Sequence, residues 1–130
     1  MPVLSQGQSG PAVTTLQYLL NQQGAALTAD GDFGALTGSA VTSFQSSRGL
    51  TADGIVNAST WNALFISLSQ GASGAAVKAL QTELNGHGAK LTVDGQFGTA
   101  TRSAVVAFQS SRGLPADGTA AASTWGALLS

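Results

Sequence analysis

The chain has 130 residues, 43% of them hydrophobic and 8% charged, with a net charge of −1. That length holds one ordinary domain or two very small ones, and so little charge leaves no basic patch for phosphates, so nucleic acid is not an expected partner. Cysteine is absent, which excludes disulfides and zinc–thiolate sites, and no apolar run approaches the length of a membrane span.

The opening MPVLSQGQSG has no basic n-region and no apolar h-region, so it is not expected to act as a secretory signal. The surface must be built from Ser, Thr, Gln, Asn, Ala and Gly. Such a neutral surface, rich in short hydrogen-bonding groups, suits carbohydrate-like ligands better than ionic ones.

The chain repeats itself. Sliding it by 64 residues aligns Leu4–Leu64 with Leu68–Leu128 without a gap, and about 40 of the 61 aligned positions are identical. Self-similarity of this period means duplicated units, each long enough for its own core. The expected domains are residues 1–65 and 66–130.

Each unit opens with a helix. Val13, Leu16 and Leu20 fall at helical spacing, as do Val77, Leu80 and Leu84. Ser9 and Ser73 are placed to cap these helices, Pro11 sits early in the first, and Gly24 and Gly88 stand where they should stop. An Asp-Gly turn follows at Asp30-Gly31 and Asp94-Gly95, with a short extended segment expected at Leu27–Ala29. A second helix buries Ala40, Val41 and Phe44 and ends at Gly49. A second Asp-Gly turn (Asp53, Asp117) feeds a short third helix carrying Trp61 and Leu64, or Trp125 and Leu128. The stretch DGDFGALT echoes DGIVNAST within one unit, so each Asp-Gly turn is read as chain reversal into a helix. Between the units, Phe65, Ile66 and Leu68 are apolar where a flexible linker would be polar, so the units are expected to pack on each other.

These residues resemble the bacterial peptidoglycan-binding domain of the three-helix type, a module appended to cell-wall hydrolases and phage endolysins. The pattern is carried by Val13, Leu16, Gln17 and Leu20, then by Asp30, Gly31, Phe33, Gly34 and Thr37. Ala40, Val41, Phe44, Gln45, Gly49 and Leu50 follow, then Asp53, Gly54, Thr60, Trp61 and Leu64; the second copy matches throughout. Asn57 and Ala121 stand where the family usually has a small residue such as Gly. The resemblance implies a mainly α fold, two tandem three-helix bundles with Asp-Gly turn loops. It further implies non-catalytic binding of the glycan and stem peptide of peptidoglycan at the cell wall or extracellular side. A catalytic or particle protein would be the associated partner. The alternative reading is a structural adaptor docking a protein partner in a phage or secretion assembly, which an exposed apolar patch at Tyr18 and Leu19 would favour.

No acid/base set for catalysis is present. His87 is the single His, its counterpart is Gln23, and it reads as solvated polar surface; Glu83 is the single Glu, opposite Leu19. Asp30 and Asp32 lack the spacing of a calcium loop, so neither metal nor cofactor is expected. Gln17, Gln45, Gln81 and Gln109 are read as ties from helix to turn. Arg48 and Arg112 either pair with Asp53 and Asp117 or meet stem-peptide carboxylates. Trp61 and Trp125 are read as core. By resemblance, the ligand groove involves the Asp-Gly-x-Phe-Gly loop and the start of the second helix. The ligand-binding candidates are Asp32, Phe33, Thr37 and Arg48, with Gln96, Phe97, Thr101 and Arg112 in the second copy.

Overall fold

A computed structural model describes residues 1–130. The first repeat holds α1 (Pro11–Gln22), α2 (Ala35–Ser47) and α3 (Ala58–Leu64). The second holds α4 (Ala75–Gly86), α5 (Thr99–Ser111) and α6 (Ala122–Leu128). No helix is long and apolar enough to cross a membrane. There is no strand, only isolated antiparallel bridges, Leu4 to Val56 and Ser9 to Asp32, repeated as Leu68 to Ala120 and Ser73 to Gln96. These bridges explain one departure from the sequence reading. Ser9 and Ser73 do not cap α1 and α4; they pair with the Asp-Gly loop, and the cap positions are Gly10 and Gly74, without a side-chain cap bond. Leu27–Ala29 lies outside every helix and bridge. The Asn21 side chain binds both the N–H and the C=O of Leu27, at 2.8 and 2.9 Å, so one amide satisfies the backbone there.

Each core is built around a tryptophan. Trp61 and Trp125 are fully buried, and their indole N–H groups donate to the carbonyls of Pro2 and Ile66, at 2.8 and 2.9 Å. A bundle of this size needs such large side chains, and a buried indole needs a partner for its one donor.

Four glutamines set the loops. Gln17 donates its amide to the Asp30 carboxylate, the Asp32 carbonyl and the Thr37 hydroxyl, all within 3.1 Å, while its oxygen accepts the Gly31 N–H at 3.0 Å. Gln45 does the same with Asp53, Ile55, Thr60 and Gly54. Gln81 and Gln109 repeat both in the second copy. All four are 1% exposed. A primary amide has two donor hydrogens and an acceptor, so one side chain can fasten a turn from both sides. The glycines of these turns have φ between 74° and 77°, the left-handed region that lets the N–H point back at the glutamine. At Gly31 a Cβ would also come within 2.9 Å of the Thr14 hydroxyl.

The carboxylates of Asp30, Asp94 and Asp117 accept a backbone N–H two residues on, which with the glutamine amide holds each below the ordinary carboxylate range. A depressed pKa gives stability that is present above the ordinary Asp range and lost as pH falls through the depressed value.

The repeats pack through α1 against α4, the most extensive helix–helix contact in the molecule. Thr15 Oγ1 donates to Glu83 Oε1 at 2.7 Å, and Gln22 Oε1 accepts the Ala76 N–H at 3.0 Å, so the helices run antiparallel. Gln22 thereby satisfies an N-terminal donor of α4 that lacks a cap from its own repeat. Between these contacts lie Leu19 and Ala79, both fully buried. Leu19 is therefore not exposed, as one sequence reading allowed; it meets the second repeat, and Tyr18 is half-buried against the core. Phe65 closes the joint, with its ring 6.2 Å from Trp61 and 5.6 Å from Trp125, stacked on both. Ile66 is half-buried, while Leu68 is buried within the second repeat's own bridge.

Burial at this interface pushes the Glu83 carboxyl above its usual range, against the opposing pull of the Thr15 hydroxyl and the nearby His87. A raised pKa means that stability is full below the ordinary Glu range and declines as pH rises through the shifted value. Glu83→Gln keeps an acceptor for Thr15 and removes the charge. The variant is expected to melt higher than the parent at neutral pH and to converge with it near pH 4. Thermal melts of both proteins from pH 4 to 8 check this; parallel curves would refute it.

Candidate functional site

The surface carries one groove twice. In the first repeat it lies between the end of α1, the loop Gly24–Leu27 and the outer face of α2. Its volume is about 560 Å³, with Leu20, Leu27, Leu36, Ala40 and Phe44 among its apolar walls and Ser43 and Ser47 among its polar ones. In the second repeat the equivalent groove is about 430 Å³, lined by Leu84, Leu91, Ala104 and Phe108 with Lys90, Ser111 and Arg112. Clefts of this size take a sugar with a short appendage. Leu36 is 80% exposed at the first groove's lip, where the second has Ala100. An exposed leucine on a helix otherwise rich in small residues is an apolar contact without an internal partner.

A guanidinium stands at each groove. Arg48 lies over the Phe44 ring, 4.8 Å from its centre, and donates to Gln23 Oε1 at 2.6 Å and to the Ala63 carbonyl at 3.4 Å. Arg112 lies 4.9 Å over Phe108 and faces His87 Nδ1 at 3.3 Å. Neither arginine takes the pairing with Asp53 or Asp117 that the sequence allowed. Those carboxylates receive the glutamine amide and their own loop N–H. A cation on a ring face keeps its edge donors available, and guanidinium matches carboxylate.

His87 is exposed, as the sequence reading has it, and its ring makes two contacts. Its Nε2 meets the Leu128 carbonyl at 2.7 Å, and a carbonyl only accepts, so Nε2 carries the hydrogen. The Leu128 contact ties the end of α6 to the groove.

The eight candidates divide. Arg48 and Arg112 stand at the grooves. Phe33 and Phe97 are 2% exposed and belong to the core. Thr37 and Thr101 are 3% exposed, and their hydroxyls accept from Gln17 and Gln81. Asp32 and Gln96 are exposed on the loop and bridge Ser9 and Ser73 through their backbones. Gln96 and Thr101 border a depression of about 340 Å³ with Thr92, Asp94 and Thr99, which adjoins the second groove at Lys90 and Leu91. The groove floors, made by Leu20, Leu27, Ala40 and Phe44 and their counterparts, were not singled out as a site from the sequence, where they read as core apolar residues.

Two small helical bundles, each stapled by buried amides and each offering one apolar-floored groove with an arginine beside it, define a class of duplicated recognition modules. The chain belongs to the peptidoglycan binding domain family, whose sequence profile matches it twice, over residues 9–64 and 73–128. A zinc D-Ala-D-Ala carboxypeptidase of Streptomyces albus G is 49% identical over 69 residues, which cover 51% of this chain and 26% of the relative. A probable N-acetylmuramoyl-L-alanine amidase of Bacillus licheniformis is 35% identical over 146 residues, covering 89% of this chain and 41% of the relative. Among solved structures, the Burkholderia AP3 phage endolysin is 45% identical, with a TM-score of 0.50, over 51% of this chain and 25% of that one. The chain thus spans less than half the length of either curated relative.

Proposed function

We propose that this chain is a non-catalytic peptidoglycan-binding tandem that holds itself, or an enzyme or particle joined to it, on the bacterial wall. The observation that carries the reading is the groove itself, formed at equivalent positions in both repeats with an arginine laid over a phenylalanine beside it. Its floor accepts the methyl groups of N-acetyl and alanyl units. Serine hydroxyls and loop backbone groups meet sugar hydroxyls, and the guanidinium meets a stem-peptide carboxylate. The charge-poor surface adds little non-specific attraction to other polyanions. Membership of the family supports the same reading. An exposed apolar patch at Tyr18 and Leu19 would have favoured the adaptor reading, and those residues face the second repeat or the core.

The test is co-sedimentation with purified sacculi, with chitin and cellulose alongside. Ser43 and Ala107 are exposed helix positions that line the two grooves. The double variant Ser43→Trp/Ala107→Trp fills both grooves without touching the core. Parent protein is expected in the sacculus pellet alone, and the double variant is expected to bind at least about tenfold more weakly, the scale of about 1.4 kcal/mol. Undiminished binding by a folded double variant would remove the grooves as the site.

A further inference from the structure

The contact between α1 and α4 fixes how the two grooves are related. Position 22 of the first repeat meets Ala76, the counterpart of Ala12, and position 15 meets Glu83, the counterpart of Leu19. In repeat numbering, 22 faces 12 and 15 faces 19, so both pairs are centred on position 17. The two copies therefore present the same helix face to each other in opposite directions. That is an isologous contact, and it relates the repeats by an approximate two-fold rotation. Burial agrees: Leu19 and Ala79, at positions 19 and 15 of their repeats, are both fully buried, as the same pairing requires.

A two-fold rotation reverses any direction across its axis and gives no displacement along it. Two grooves so related cannot lie end to end along one straight strand with the same polarity, however each groove is tilted. A wall glycan has distinct reducing and non-reducing ends, and its peptides have distinct termini. We infer that the tandem grips two different strands, one per groove, and so bridges them, and that it does not lie along a single strand. The inference rests on the peptidoglycan reading above and on both grooves taking the ligand in the same pose. It makes the target a place where two strands lie close. Avidity then arises only when both strands belong to one mesh.

The experiment uses the full chain with two soluble ligands, a disaccharide-peptide and long uncross-linked glycan–peptide strands. Light scattering is followed as protein is titrated into the strands, and the stoichiometry for the disaccharide-peptide is measured by calorimetry. The expected results are two disaccharide-peptides per chain and a rise in particle mass of at least about twofold, which falls again in protein excess as each strand saturates. The single variant Ser43→Trp should bind one disaccharide-peptide and give no rise. Strand binding by the parent without a rise in mass overturns the inference, most plainly if the strand binds more than about tenfold tighter than the disaccharide-peptide, as one strand filling both grooves would. Absence of disaccharide-peptide binding strikes the peptidoglycan reading itself, and this inference falls with it.

Discussion

Replacing Gln17 with Leu is expected to lower the unfolding free energy by about 2–4 kcal/mol, although the two side chains are similar in size. Gln17 is 1% exposed and makes four hydrogen bonds to one loop. Leucine would leave the Gly31 N–H and the Thr37 hydroxyl buried without partners, and an unsatisfied buried group costs about 1–3 kcal/mol. Thr37→Val removes a single acceptor and should cost less, about 1 kcal/mol. Since both changes break the same bond, the double variant should cost clearly less than the sum of the two. Urea unfolding of the three variants measures all of this. A Gln17→Leu cost under about 0.5 kcal/mol, typical of a surface change, would show that the clasp does not hold the loop. Gln81→Leu should behave alike, because its bonds are the same.

Leu19→Glu should strike the joint and not either bundle. It is expected to cost about 3–5 kcal/mol, from a lost leucine contact and a second carboxylate in an interface that already holds Glu83. Scanning calorimetry should show the parent melting in one transition and the variant in two, since each repeat keeps its own tryptophan core and four-bond clasps. Leu19→Met, which conserves volume, should cost under about 1.5 kcal/mol and keep one transition. A single unshifted transition for Leu19→Glu would mean that the α1–α4 contact does not couple the repeats.

The sequence readings that succeeded were local. Three helices per copy follow from apolar spacing, and the four Asp-Gly turns with their glutamines follow from turn chemistry and an internal echo. The failures arose where distant segments meet. Val13, Leu16 and Leu20 mark one buried face of α1, but the second face, through Ala12, Thr15 and Leu19, contains a small and a polar residue. Periodicity does not register it as buried, because its partner is another helix of the same polar–small composition. Ser9 has the chemistry of a helix cap, yet a bridge to Asp32 takes its backbone elsewhere. Phe33 is apolar on a Gly-rich loop, which reads more as core plug than as ligand contact, and the fold turns it inward. The groove forms where the loop Gly24–Leu27 meets α2, so no contiguous stretch of sequence announces it.

The paired helix face also bears on how separate molecules behave. An isologous patch invites exchange, in which the first repeat of one chain takes the first repeat of another, and so on into chains of chains. Here the copies have diverged at the residues that would decide it. Two first repeats would set Leu19 against Thr15, burying a hydroxyl with no carboxylate to receive it. Two second repeats would set Glu83 against Ala79, burying an acid with no donor. Only the unlike pair supplies both, so Thr15 and Glu83 set the first repeat to pair with a second repeat and disfavour pairing of like repeats between molecules.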